Sequence, residues 1–168
     1  MPSDSRFPRL FFFALVVAAI LQSAYYYPLL AGRLASHFDG SGSPNGWQTK
    51  GVFFAFYVGG IAIASVLIFG IPKLIAVVPD SVINLPNKAY WLAPGRRAET
   101  VGFFEAQFAW FGAATFFVML SAVELAIRAN LAPEGGFSSS AMWFVLGGYF
   151  AFVLLWLVRL IGRFARTP

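Results

Sequence analysis

The 168-residue chain contains no cysteine, a single histidine and few charges, 11% of residues against 59% hydrophobic. Without cysteine there is no disulfide, no thiolate nucleophile and no thiolate metal site. With one histidine there is no His-rich spacing, so the several N, S or O donors of a usual metal centre are missing. No glycine-rich cradle precedes a lysine, which removes the signature of a phosphate-binding loop. Glu105 and Glu124, 19 positions apart, stand about 28 Å apart on one straight helix, too far for a paired-carboxylate mechanism. These absences read as a protein that is not an enzyme and uses no cofactor or metal.

The shortage of charge, roughly half that of a soluble domain, marks an integral membrane protein. Four apolar runs, at about 10–27, 51–71, 103–127 and 141–161, approach or exceed the ~20 helical residues that cross a bilayer. Each is continuous rather than alternating, which favours helices over barrel strands. The first run is longer than the 7–15 apolar residues of a signal peptide, and Gln22 sits where cleavage needs a small residue, so this helix is expected to stay. The expected fold class is all-α, one integral-membrane four-helix bundle over 1–168, with outer loop 28–50, inner loop 72–102 and outer loop 128–140.

Placing both termini in the cytoplasm puts Arg6, Arg9, Lys73, Lys88, Arg96, Arg97, Arg159, Arg163 and Arg166 inside, against Arg33, Lys50 and Arg128 outside. That excess fits the positive-inside rule and a bacterial inner (cell) membrane. The net charge of +5 is then explained by lipid headgroups and calls for no nucleic acid.

Within this frame Pro28 ends the first span, just after Tyr25, Tyr26 and Tyr27 at the outer interface. Arg33, Leu34 and His37 share a helical face, which predicts a short helical turn. Asp39 to Gly46 is rich in turn formers, with Asn45-Gly46 read as a tight reversal. Pro72 and Lys73 close the second span, although Leu74 to Val78 can extend it beyond a kink. Gly59-Gly60 with Ala64 and Ser65, and Gly147, Gly148 and Ala151, predict close-packing helix faces. Pro133, Gly135 and Gly136 make the last outer turn, and the serines at 138–140 are placed to cap the final helix.

His37-Phe38-Asp39, Gly42, Pro44-Asn45, Trp47 and Lys50 resemble the signature of a bacterial membrane family called domain of unknown function 1648. The usual form is His-Phe-Asn, Gly, Pro-Asp, Trp, Lys; here the acid and amide of Asp39 and Asn45 are exchanged, and Ala35 stands where proline is common. Asn84-x-Pro86-Asn87-Lys88-x-Tyr90-Trp91-Leu92, followed by Pro94 and arginines, is similar to a second segment of those proteins. The resemblance extends to the N-terminal part of SdpI-type immunity proteins, and implies a ligand-sensing or protective outer surface.

Two candidate sites follow. The outer one gathers His37, Asp39, Asn45 and Lys50 with Glu124 and Arg128, an i, i+4 pair that shares a polar stripe with Ser121. Ionisable groups at membrane depth default to functional hypotheses, although Glu105 and Glu124 lie near span ends, where they can snorkel. Such a cluster binds an acidic or peptide ligand through Arg128 and Lys50, senses pH through its imidazole, or simply caps the bundle. The inner one comprises Asn84, Asn87, Lys88, Tyr90, Trp91, Arg96 and Arg97; its arginines suit bidentate contact with phosphate or carboxylate, or headgroup anchoring. Three functions remain open: a sensing or toxin-immunity protein facing an extracellular peptide, an accessory subunit of a larger membrane complex, and a small transporter or proton relay using Glu105, Gln107 and Glu124.

Overall fold

The computed structural model describes residues 6–132 and 136–167. It contains α1 (Arg6–Tyr26), a hairpin of β1 (Arg33–Phe38) and β2 (Pro44–Thr49), α2 (Lys50–Val77), a one-turn α3 (Lys88–Trp91), α4 (Arg97–Leu131) and α5 (Ser139–Phe164). Among the described residues, four helices are long and apolar enough to cross a membrane. The expected all-α fold is corrected by the hairpin. Pro133 and Gly135 lie outside the described residues, and Ser138, at the N-cap position of α5, makes no side-chain capping bond.

Helix ends follow local chemistry. At the end of α1, Pro28 sits in a 3-10 turn over Tyr27–Leu29, since the residue before proline is disfavoured in the α region. Thr49 caps α2 by accepting from the Val52 amide at 3.3 Å. Of the two expected endings, the structure takes the extension: α2 runs through Pro72 to Val77, since a missing amide is tolerated in an apolar helix that neighbouring elements support. With α4 beginning at Arg97, the expected inner loop 72–102 is partly helical at both ends and carries α3 in its middle.

Packing centres on α4, against which α1, α2 and α5 each rest. Phe12 and Phe116 are wholly buried between α1 and α4, their rings 5.6 Å apart, and Phe69 of α2 meets Phe12 edge-on at 5.2 Å. A second aromatic cluster, Trp91, Phe103, Phe104 and Phe164, ties α3, α4 and the end of α5 together. The outward faces are as apolar as the core: Phe56 is 73% exposed, Val66 71% and Phe144 85%. That inversion costs nothing where the solvent is hydrocarbon.

The closest helix approach is not at the expected glycine pairs. A Cβ on Gly59, Gly147 or Gly148 meets nothing within 4 Å, and one on Gly60 meets only the methionine tip of Met119. It is Gly112 of α4, buried against Ile68 of α2, where a side chain collides. Sequence pairs of small residues mark where helices are able to approach, whereas the rotation of each helix decides which pair faces a neighbour.

Asp80, in a 3-10 turn before α3, pairs with Arg97 at the start of α4, and Glu99 in the first turn of α4 pairs with Arg163, so the end of α5 lies beside the start of α4. Arg9 in the first turn of α1 bonds Glu105 at 2.6 Å. Both ends of the described chain therefore share one end of the molecule, and the hairpin occupies the other.

Candidate functional site

The hairpin replaces the expected helical turn at Arg33, Leu34 and His37. A lone turn of helix is unfavourable, whereas here the chain reverses at Asp39–Ser43 and both arms find partners. Asp39 Oδ1 accepts from the Ser41 amide (2.9 Å), the Ser41 hydroxyl (2.6 Å) and the Ser43 amide (3.0 Å), while the Asp39 amide donates to the Ser43 carbonyl. Gly42 follows at φ +89°, with its amide on the Asp39 carbonyl and its carbonyl receiving the Phe137 amide. Asn45-Gly46, the expected reversal, lies within β2 instead. Gly46 is opposite His37 because a Cβ there would stand 2.9 Å from the His37 Cβ.

The Ser41 hydroxyl, with the Ser43 and Ser41 amides, holds the Asp39 carboxyl below its ordinary range. Bonds to the charged form stabilise that form, so the loop's ionic support is complete above the ordinary carboxyl pKa and is lost as pH falls through the lowered value. We expect the Ser41 and Ser43 amides to be protected from hydrogen exchange at neutral pH, and to lose the intrinsic-rate-corrected protection in strong acid. In Asp39→Asn that pH step should vanish; an unchanged step would reject this assignment.

Asn130 in the last turn of α4 anchors the hairpin. Its Oδ1 accepts from the Ala35 amide and its Nδ2 donates to the Ala35 carbonyl, both at 2.8 Å, with a further bond to the Ala126 carbonyl. One side-chain amide thus serves as a third strand for the edge of β1. The sequence offered the clue that an asparagine ends a helix, though nothing in it paired Asn130 with Ala35.

Under the hairpin lies a cavity of about 370 Å³. Its roof is Ser36 to Gly40, its floor Ala122 and Ala126 of α4, and its far wall Met142, Trp143 and Leu146 of α5. Phe38 stacks on Phe137 at 4.8 Å, closing one side. Ser139 is among the lining residues, and its Oγ is buried without a hydrogen-bond partner.

The six expected outer residues do not form one cluster. His37 Nδ1 is bonded to Asn45 Oδ1 across the strands. Lys50 is spent on the end of α1: its Nζ donates to the carbonyls of Tyr27 (2.9 Å) and Leu30 (3.1 Å) and lies 4.5 Å from the Tyr27 ring centre. Glu124 and Arg128 are paired at 2.6 Å on α4 and line an open groove with Ser121, Gln22 and Tyr26. The cations expected for an acidic ligand are thereby engaged within the protein.

Glu124 anchors a network that joins three helices. Its Oε2 accepts from Gln22 Nε2 of α1 at 2.8 Å, and its Oε1 from Tyr26 Oη at 2.9 Å. Gln22 Oε1 in turn accepts from Tyr57 Oη of α2 at 2.9 Å. The sequence marks Gln22 only as a poor cleavage residue and Tyr26 only as an interface ring, and gives Tyr57 no signal, because an uncharged polar residue in an apolar run carries no pattern until its partner is placed.

The inner set also works mainly as helix termination. Arg97 bonds Asp80 and donates to the carbonyls of Ile75 (2.9 Å) and Val78 (2.6 Å) at the end of α2. Asn87, in the left-handed region at φ 51°, donates to the Phe164 carbonyl at the end of α5. Lys88 donates to the Asp80 carbonyl, Arg96 covers the Tyr90 ring at 3.9 Å, Trp91 is buried against Phe164, and Asn84 lies exposed before α3. The last carbonyls of a helix need donors, and at a membrane edge side chains from the next element supply them.

Among the described residues, no three His, Cys, Asp or Glu side chains group as a metal site. The hairpin and four spanning-length helices are features of a multi-pass membrane protein with a small folded cap. Residues 14–63, covering most of α1, the hairpin and the first half of α2, match the family model described as Domain of unknown function (DUF1648). The match includes the His37–Lys50 motif and stops short of the Asn84–Leu92 segment. No curated protein matches the chain, and no solved structure does.

Proposed function

We propose that the protein is a non-catalytic, ligand-sensing membrane protein, a four-helix bundle with both termini cytoplasmic and the hairpin outside. The positive-inside excess supports that orientation. The observation that carries the reading is the cavity under the hairpin, which has apolar walls, an unpartnered Ser139 hydroxyl, and His37 and Asp39 on its hairpin side. Few convergent polar groups in a mostly apolar recess is the usual form of a binding site. Because every side-chain hydrogen bond that Asp39 accepts among the described residues uses Oδ1, the other oxygen is left for a cation. The chemistry fits an extracellular peptide with an apolar side chain beside a basic one, a ligand compatible with a toxin-immunity role of the SdpI type.

The test is binding of a fluorescent apolar–cationic peptide to the detergent-purified chain. Met142→Trp, which fills the cavity, should weaken binding at least about tenfold, equivalent to ~1.4 kcal/mol; Leu155→Trp, on the outer face of α5, should not. Equal binding by both variants and wild type would remove the cavity from the function.

A second reading, an accessory subunit of a larger membrane complex, is favoured by α5. Its membrane-length window has no buried residue, and Trp143, Phe150 and Leu155 are 62–70% exposed. Stoichiometric co-purification of larger membrane proteins after gentle extraction would support this reading over a stand-alone sensor.

A further inference from the structure

At the end opposite the hairpin, Arg9 of α1, Lys73 of α2 and Glu105 of α4 line a recess of about 140 Å³. Its walls include Phe13 and Phe69, stacked 5.6 Å apart and nearly parallel, together with Pro72. Two cations face one carboxylate, so the recess carries an uncompensated positive charge. Arg9 gives Glu105 a single bond, from Nη2 to Oε2 at 2.6 Å, and its Nε is shielded from water without an acceptor. Lys73 is exposed and has no partner among the described residues.

We propose that this recess binds the phosphodiester headgroup of an anionic phospholipid. Its volume holds a phosphate and not a whole lipid, and its aromatic wall continues into the apolar surface of α1 and α2. Arg9 lies in the first turn of α1 and Lys73 in the last two turns of α2, so both stand at the level where an apolar run gives way to headgroups. A phosphate bridging them neutralises the excess charge and offers Arg9 further acceptors, while acyl chains lie against Phe13 and Phe69. Basic pockets between membrane helices recognise anionic lipid in this way, and the amphipathic lining selects a lipid phosphate over free phosphate.

The experiment is native mass spectrometry of the full chain in detergent, with equal phosphatidylglycerol and phosphatidylcholine. Wild type should retain phosphatidylglycerol at least about fivefold better, the factor that ~1 kcal/mol per cation gives. Lys73→Gln should reduce that preference about fivefold. Glu105→Gln removes the competing carboxylate and should strengthen it, an effect that a purely structural Arg9–Glu105 pair does not produce. Arg166→Gln, beyond α5 at the same end, should leave it unchanged. The proposal fails if Lys73→Gln keeps the wild-type preference, if Arg166→Gln loses as much, or if inorganic phosphate alone stabilises the protein against heat as well as phosphatidylglycerol does.

Discussion

Glu124→Ala is expected to destabilise the detergent-solubilised protein by about 2–3 kcal/mol, lowering its melting temperature by roughly 5–10 °C. The carboxylate accepts from Gln22, Tyr26 and Arg128, and its removal leaves the partly buried Tyr26 hydroxyl without its acceptor and Gln22 Nε2 with only a long bond to the Leu120 carbonyl at 3.4 Å. Side-chain hydrogen bonds between membrane helices average only about 0.6 kcal/mol, so the cost lies mainly in the stranded donors. Arg128 is 70% exposed at its side chain and regains water, so Arg128→Ala should cost far less than Glu124→Ala.

Glu124→Gln is the informative partner. A glutamine amide at that position would confront the Gln22 amide donor to donor. If the Gln22 amide flips, its oxygen accepts from the new side chain and its nitrogen donates to Tyr57 Oη, which is able to accept. The Gln22 links then re-form with reversed polarity, leaving only the Tyr57 proton without its acceptor, and about half of the lost stability should return. A thermal melt showing Glu124→Gln as damaging as Glu124→Ala would mean that the negative charge, and not the connectivity, holds α1, α2 and α4 together.

Gly112→Leu is expected to have the second large effect, a loss of about 2–3 kcal/mol. A Cβ at this position would collide with Ile68 Cδ1 and lie 2.9 Å from its Cγ1 and 3.0 Å from its Cγ2. Because isoleucine is branched at Cβ and stiff at χ1, one rotation does not clear both γ carbons, and α2 must move away from α4. Ile68→Ala in the same chain should recover most of the loss, a coupling read directly from a double-mutant cycle. Gly147→Ala and Gly148→Ala, whose Cβ positions are open, should be neutral or stabilising, since alanine is the better helix former. If all three glycine positions respond alike, close packing at Gly112 is not what distinguishes this interface.

The sequence was informative wherever one residue or one run carries its own physics. Four continuous apolar runs located the spanning helices, Pro28 marked the end of the first, and Glu124 with Arg128 was readable as a helical pair. It misled where a short segment was given a period without a partner: Arg33, Leu34 and His37 fit a helical face by spacing, yet β1 exists because β2 and Asn130 satisfy its backbone. The candidate outer cluster suffered from the same gap. Lys50 and Asn45 are at the expected end of the molecule, but each is already engaged, by the carbonyls ending α1 and by His37.

What the sequence determined by itself, then, is the apolar character of the chain and the number of helices long enough to cross a membrane, because hydrophobic length is a local sum that no tertiary contact changes. Only the tertiary structure decided which polar groups remain available for binding. Availability depends on helix rotation and on which carbonyls end beside which side chain: Arg97 and Asn87 became caps for α2 and α5, while Lys73 was left facing an open recess. A hydrogen bond has direction and a range of about 3 Å, so it is fixed by relative placement in space, and spacing along the chain does not encode it.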